Sequence, residues 1–177
     1  MNRKIIIGSI ILIVIAASYI LLGGFDKIKV EKVEVDNYVV VGMNYEGRYR
    51  SKELRNIFND VKNKLDSGIV NGLMVVVNYN LDKDSLDNGF IRQFIGILID
   101  QNESNKTLPQ KYELINIETT SAIAAKISAH NLVMPSPAKI DQKIAAFAKA
   151  NELKKMNLSI EKYVSERELI IEVPLFD

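Results

Sequence analysis

The sequence predicts an α+β fold built from two similar modules, each made of a strand, a helix, a strand and a strand. Two amphipathic helix patterns lie roughly 85 residues apart, an offset that indicates an internal duplication. Each helix pattern is followed by two short apolar or alternating runs, which are typical of strands. A polar stretch separates the halves. With one helix for three strands, helices can cover only one face of the sheet.

The chain begins with an apolar segment that we expect to form a transmembrane helix. Residues 5–22 carry no charge. At about 1.5 Å per residue they nearly span the roughly 30 Å hydrocarbon core of a bilayer. A cleaved signal peptide is the alternative, because Ala16 and Ser18 offer a small-residue site, but the apolar run continues past them. Basic residues flank both sides, so the orientation of the globular part stays open.

We therefore predict a single-pass membrane protein with one globular domain. Of its 177 residues, 47% are hydrophobic, and the part that follows the apolar segment is long enough for a domain with its own core. The predicted segments are a short tail (1–4), a transmembrane helix (5–22), a spacer (23–29) and a globular domain (30–177) with modules at 30–100 and 111–177.

The first module opens with the β-rich stretch 32–49, which ends near a glycine turn. Ser51 is the candidate N-cap of the following helix, and Gly68 marks its end. Strands at 73–79 and 90–99 complete the module. The apolar positions of the helix follow the spacing i, i+3, i+4, i+7 and i+11, and so form one face: Leu54, Ile57, Phe58, Val61 and Leu65.

The second module repeats this order. Its β-rich opening is 112–129, and Ser136 and Pro137 are the cap and first position of a second helix. Strands at 158–164 and 169–175 follow, joined by a turn. The inner face of the helix is formed by Ile140, Ile144, Phe147 and Ala148.

Three short stretches resemble the GyrI-like family, also known as the effector-binding domain of AraC-type and multidrug-responsive regulators. They are YEGRY (45–49), IEKY (160–163) and IEVPL (171–175). The resemblance covers residues 30–177 and implies two modules related by a pseudo-twofold axis, with a ligand cleft between them. A membrane helix before such a domain is also similar to the layout of the animal reticulophagy receptor with a GyrI-like domain. The sequence lacks that receptor's tail, so we do not expect its function here.

The last two strands carry two carboxylates, Glu161 and Glu172. With the turn at 166–167, Ser165 is expected to pair with Glu168, which places the two glutamates directly opposite each other. Like charges so placed are destabilising. We expect the apolar sides of both strands to pack under the helices and the two glutamates to lie on the other sheet face.

The resemblance implies which residues contact a ligand. It identifies Glu161 as the ligand-contacting carboxylate, with Tyr163 as an aromatic wall beside it. Tyr45 and Tyr49 bracket a glycine turn at the expected edge of the cleft, and Glu172 is the fifth candidate. A tyrosine beside a carboxylate suits cationic or polarised aromatic ligands. The alternative is that the glutamates are solvated and the tyrosines only pack.

The composition excludes several classes of function. The formal net charge is +1, so no basic excess indicates nucleic-acid binding. There is no cysteine, and His130 is the single histidine, which argues against a zinc site. We predict no metal and no cofactor.

The leading functional hypothesis is a membrane-tethered binding module, monomeric, that holds a small apolar or cationic ligand, or a protein partner, in its cleft. The alternative is a small-molecule hydrolase in which Glu161 is the base and Tyr163 the proton donor. A third possibility is a scaffold that presents its sheet to another membrane protein.

Overall fold

A computed structural model describes residues 3–21, 28–80, 88–100, 108–128 and 134–176. It confirms an α+β fold. The helices are α1 (Arg3–Leu21), α2 (Lys52–Asp66) and α3 (Pro137–Ala150). The strands are β1 (Lys29–Glu34), β2 (Tyr38–Arg48), β3 (Leu73–Tyr79), β4 (Phe90–Ile99), β5 (Glu113–Ile117), β6 (Ser121–Ser128), β7 (Leu158–Ser165) and β8 (Glu168–Pro174).

The N-terminal segment does form a helix, α1. Within the described residues, however, no helix is both long enough and apolar enough to cross a membrane. The transmembrane helix predicted over 5–22 is therefore not confirmed. The localisation and the orientation of the globular domain stay predictions. Most of the predicted spacer and His130 lie outside the described residues.

The eight strands form one antiparallel sheet in the order β1-β6-β8-β7-β3-β4-β2-β5. Read outward from the β7–β3 pair, one side runs β3, β4, β2, β5 and the other runs β7, β8, β6, β1. The two halves of the chain therefore occupy equivalent positions about the centre of the sheet.

Each half contributes four strands to this sheet, one more than predicted. The β-rich opening of each module is broken by a short turn, at 35–37 and at 118–120, so that it forms two strands. The leading strand of each half crosses to the other half: β1 pairs with β6, and β5 pairs with β2. The halves are therefore interlocked through their outer strands.

Helices α2 and α3 lie on the same face of the sheet. As predicted, α2 begins after Ser51, whose side chain accepts a hydrogen bond from the Leu54 amide at 3.0 Å. The predicted apolar face of α2 packs on β2, β3 and β4, around Val61, Val76 and Ile95. The predicted inner face of α3 packs on the other half of the sheet. Its partners there are Ile123, Ala125, Leu169, Ile171 and Val173.

The opposite face buries its apolar side chains by curling. A third cluster lies there, formed by Tyr38, Val40, Val75, Val77, Phe94, Ile117 and Ile160. The Tyr38 hydroxyl of β2 donates to the Glu172 carboxylate of β8 at 2.8 Å. These strands are four places apart in the sheet, which would be about 19 Å if the sheet were flat. The helix-free face is therefore strongly concave.

A glycine pair lies inside this curl. Gly42 of β2 and Gly96 of β4 are direct partners, and both face the concave side. A Cβ on Gly96 would lie 2.6 Å from the Val41 carbonyl oxygen and 2.8 Å from a Val40 methyl group. No side chain fits at these positions unless the strands move apart.

Gly96→Ala should destabilise the globular domain. The added methyl group collides with backbone, so we expect a loss of about 1–3 kcal/mol in the free energy of unfolding, as for an overpacked core. Denaturant unfolding of the full chain measures it. Gly8→Ala is the control, because nothing lies within 4 Å of a Cβ at that position. Equal stabilities of the wild type and Gly96→Ala would show that the strands are not closely packed at this pair.

Candidate functional site

The register of the β7–β8 hairpin decides where the two glutamates point. Ser165 pairs with Glu168, as predicted, but the register then shifts, and Val164 is left without a partner in β8. Beyond this bulge Glu161 pairs with Ile171, and Glu172 pairs with Ile160. A shift of one residue moves every following side chain to the other face. The prediction that Glu161 and Glu172 lie opposite each other was therefore wrong.

Glu161 lies on the helix-covered face, at the centre of the sheet. Its neighbours in the same row are Val76 of β3 and Ile171 of β8. Val76 belongs to the cluster under α2, and Ile171 belongs to the cluster under α3. We predicted that both glutamates lie on the helix-free face. For Glu161 this prediction was wrong, because the residue lies on the helix-covered face, between α2 and α3.

A chain of hydrogen bonds holds the Glu161 carboxylate. The side-chain amide of Asn78 donates to Oε1 at 2.9 Å, and the Tyr163 hydroxyl donates to Oε2 at 2.9 Å. The Gln93 amide donates to Asn78 Oδ1 at 2.6 Å, which fixes the orientation of the Asn78 amide. All these donors are neutral. Among the residues that the structure describes, no cationic side chain forms an ion pair with Glu161.

Burial changes the proton affinity of this group. Loss of solvent raises the pKa of the Glu161 carboxyl, and the nearby Asp141 carboxylate acts in the same direction. The hydrogen bonds from Tyr163 and Asn78 oppose this increase only in part. Burial and the neighbouring carboxylate also raise the pKa of Tyr163, so its hydroxyl stays protonated and remains a donor.

Two cavities meet at Glu161. The first, which we call the apolar chamber, has a volume of about 380 Å³. The second, the polar chamber, has a volume of about 360 Å³. Both are lined by Pro137, Glu161 and Ile171. The apolar chamber is further lined by Met134, Pro135, Ser136, Ile140, Tyr163, Ser165, Glu166, Glu168 and Leu169. The polar chamber is further lined by Asn78, Tyr79, Asn80, Ile91, Arg92, Asp141 and Ser159, so an arginine lies at its wall as well as two carboxylates.

An aromatic contact closes the cleft toward α2. The ring of Phe58 meets the ring of Tyr163 edge to face, with centroids 6.3 Å apart and planes at 88°. Because Phe58 comes from the first half of the chain and Tyr163 from the second, this pair joins the two halves beside the carboxylate.

The two other predicted tyrosines have different surroundings. Tyr45 is buried beneath α2, and its hydroxyl donates to the Arg48 carbonyl at 2.8 Å and is also hydrogen-bonded to the Ser51 hydroxyl at 2.6 Å. It therefore positions the helix cap. Tyr49 is about half exposed beside Gly89, with the Arg50 guanidinium 5.1 Å from its ring centroid. Neither tyrosine lines the chambers at Glu161.

Glu172 lies on the concave face, away from Glu161. It is 6% exposed, and its Oε2 accepts both the Tyr38 hydroxyl and the Lys162 ammonium, the latter at 2.5 Å. Lys162 also lies 5.0 Å from the Tyr38 ring centroid. The charge of Glu172 is thus balanced within the fold, where it joins distant strands. The prediction that Glu172 lies beside Glu161 was wrong, because the register shift pairs Glu172 with Ile160 instead.

Sequence reasoning missed several residues of the cleft. Asn78 interrupts the apolar strand 73–79 at the same parity as Val76, a signal that a polar group faces the helix side. Phe58 was recognised only as part of an apolar helix face, and Asp141 was not singled out. Across the described part of the chain, no group of three His, Cys, Asp or Glu residues is placed to hold a metal ion.

Comparisons with solved structures show which fold this is. An uncharacterized conserved protein from Listeria innocua is 11% identical with a TM-score of 0.59, and a hydrolase from the same organism is 10% identical with a TM-score of 0.56. For both, the match covers 85% of this chain and 93% of the other. The EcmrR C-terminal domain is 14% identical with a TM-score of 0.54, covering 85% of this chain and 98% of that domain.

These structural neighbours include GyrI-like, effector-binding folds, and the fold of this chain is consistent with them. At these identities the likeness shows the fold alone. No protein-family model and no curated protein sequence matches the chain.

The raised pKa of Glu161 predicts how its removal changes stability with pH. Because the folded protein binds this proton more tightly than the unfolded chain, ionising Glu161 costs stability as pH rises through the unfolded pKa, near 4.5, toward the higher folded one. The wild type should therefore lose stability relative to Glu161→Gln between about pH 4 and pH 7. Denaturant unfolding of both proteins across this range measures the difference. A difference that is constant with pH would contradict the assignment.

Proposed function

We propose that the chain is a small-molecule binding module that holds a cationic ligand with an apolar body in the cleft at Glu161. The observation that carries this proposal is a largely buried carboxylate, at the junction of two chambers, without a cationic partner among the described residues. A ligand cation would supply the missing partner. The effector-binding fold of the structural neighbours is consistent with such a role.

The electrostatics of the cleft favour a cation over an anion or a neutral molecule. Burial already makes the ionised form of Glu161 unfavourable, and Asp141 adds repulsion. A cation relieves both effects, whereas an anion adds a third negative charge. Arg92 also lines the polar chamber, but its guanidinium lies 3.9 Å from Glu46 and 5.2 Å from the Tyr79 ring centroid, and it forms no ion pair with Glu161. The Tyr163 ring lines the same chamber and provides an aromatic surface beside the carboxylate.

The dimensions of the cleft favour a small molecule over a protein partner. Each chamber alone falls within the range of about 300–1,000 Å³ that is usual for ligand pockets. The apolar chamber is formed mainly by proline, methionine, isoleucine and leucine side chains. An aromatic or branched aliphatic group fits such a lining, with its charge directed at Glu161.

Binding can be tested with two phenyl compounds of equal shape. Phenyltrimethylammonium and neutral tert-butylbenzene differ in the charge of one central atom. The full chain should bind the cation more tightly than the neutral compound in NMR titrations. Glu161→Gln should weaken cation binding by about 1–3 kcal/mol, because it removes a charge–charge attraction in a partly desolvated site. This cation has no N–H group, so no hydrogen bond is lost.

The control for this titration is Glu113→Gln, which removes one carboxylate from the exposed edge strand β5. It should leave both affinities unchanged. Equal binding of the two phenyl compounds, or equal loss in Glu113→Gln and Glu161→Gln, would place the cation site elsewhere.

Hydrolysis is the second candidate function, and one contact favours it. The Tyr163 hydroxyl donates to a carboxylate of raised pKa, which is the arrangement of a general acid beside a general base. One of the structural neighbours is described as a hydrolase, although a shared fold does not fix the chemistry.

Styrene oxide, a strained aryl electrophile, separates the two candidates. A binding module should hydrolyse it no faster than the Glu161→Gln protein does, as measured by chromatography of the diol product. Hydrolysis by the wild type that is lost in both Glu161→Gln and Tyr163→Phe would instead favour the enzyme.

A further inference from the structure

We propose that Gln93 is a positioning residue of the cleft, which holds the Asn78 amide in one orientation and thereby keeps Glu161 in the ionised form that binds a cation. This inference rests on the proposed function of the same cleft. Gln93 itself lines neither chamber, so it acts on a ligand only through its neighbours.

Gln93 lies in the row of side chains next to Glu161. It belongs to β4 and pairs with Asn78 of β3, which in turn pairs with Ser159 of β7. Asn78 is two residues from Val76 in the same strand, so this whole row lies on the helix-covered face. A ligand at Glu161 would meet Asn78, which lines the polar chamber, but not Gln93.

The hydrogen bonds of this row run in one direction. Gln93 Nε2 donates to Asn78 Oδ1 at 2.6 Å, and Asn78 Nδ2 donates to Glu161 Oε1 at 2.9 Å. An asparagine amide has an acceptor on one side and a donor on the other, so half a turn of the amide exchanges them. Because Gln93 occupies the acceptor, the donor of Asn78 faces Glu161.

This direction favours one charge state of Glu161. An ionised carboxylate can only accept hydrogen bonds, whereas a protonated one also has a proton to donate. The Asn78 N–H therefore stabilises the ionised form and opposes part of the increase that burial causes in the pKa of Glu161. Without Gln93, the Asn78 amide could turn its oxygen toward a protonated Glu161 and stabilise that form instead.

Other titratable and charged side chains also line the two chambers. They are Tyr163, Glu166 and Glu168 in the apolar chamber, and Tyr79, Arg92 and Asp141 in the polar chamber. A substitution of Gln93 leaves all of them in place. The difference between the wild type and a Gln93 variant therefore isolates the effect of the Asn78 orientation on Glu161.

The test uses Gln93→Met, which keeps the length of the side chain and removes the donor. Methionine fits irregular gaps, so the variant should fold. Phenyltrimethylammonium, whose charge does not change with pH, is titrated by NMR into the full chain from about pH 4 to pH 9. The wild type should bind it more tightly as pH rises through the pKa of Glu161, because the cation needs the ionised form.

In Gln93→Met, this increase in affinity should occur at higher pH. On the acidic side the variant should bind the cation about two- to tenfold more weakly than the wild type, the range for one neutral hydrogen bond. At the alkaline end, where Glu161 is ionised in both proteins, the two affinities should be equal.

Three controls separate this role from a purely structural one. Neutral tert-butylbenzene should bind the wild type and Gln93→Met equally at every pH. Gln142→Met, at an exposed position on α3, should bind the cation as the wild type does. In an Asn78→Leu background, Gln93→Met should have no further effect, because Gln93 acts through Asn78.

Three results would overturn the inference. The same pH dependence of cation affinity in the wild type and Gln93→Met would show that Gln93 does not set the charge state of Glu161. A loss of affinity that is equal at every pH would show that Gln93 only shapes the cleft. A loss that adds to the loss in Asn78→Leu would show that Gln93 does not act through Asn78.

The proposed function and the inference can fail separately. NMR titration of the Glu161 carboxyl without any ligand should give a higher pKa in Gln93→Met than in the wild type. If the two pKa values are equal while the wild type binds the cation more tightly than Glu161→Gln does, only the inference fails. If the wild type does not bind the cation, the proposed function is wrong, and the pKa comparison alone decides whether Gln93 sets the charge state of Glu161.

Discussion

The unpaired Val164 determines the arrangement of both faces of the sheet. It is one extra residue in β7, near the turn that leads to β8. Because of it, every β7 residue before Val164 faces the side of the sheet opposite to the side it would face in a regular hairpin. Without this bulge, Glu161 and Glu172 would be cross-strand neighbours, with two carboxylates in one partly buried row. With it, Glu161 faces the two helices and Lys162 faces the concave side, where Glu172 also lies.

The two faces bury their apolar side chains in different ways. Two helices cover one face, and because each covers the strands of one half, the central strand β7 has no helix directly above it. That gap is the cleft. The other face has no helix and closes by curling, which the Gly42–Gly96 pair permits and the Tyr38–Glu172 hydrogen bond maintains. A buried ion pair such as Lys162–Glu172 adds little net stability over apolar packing, but removing one partner is costly.

The sequence predicted the elements well, because each has a local signal. Ser51 and Ser136 marked the helix starts, and the apolar runs gave β3 and β4 with their observed ends. The exchange of β1 and β5 between halves had no local signal, since pairing partners are set by the whole sheet. Nor did the bulge: Val164 is an ordinary strand residue, without the glycine, asparagine or proline that often marks an irregularity. The face of Glu161 therefore could not be derived from alternation alone.

The hairpin shows two ways of accommodating a buried carboxylate. Glu172 is neutralised by Lys162 and bonded by Tyr38, so its charge is balanced whether or not anything binds. Glu161 receives only neutral donors and lies near a second carboxylate, so ionising it costs the folded state free energy. If Glu161 served stability alone, an apolar residue would be more favourable at this position. Its two neighbours in the same row, Val76 and Ile171, are apolar. Local conflicts of this kind are expected at functional sites. Under the proposed function, a bound cation would give Glu161 the opposite charge that Lys162 gives Glu172.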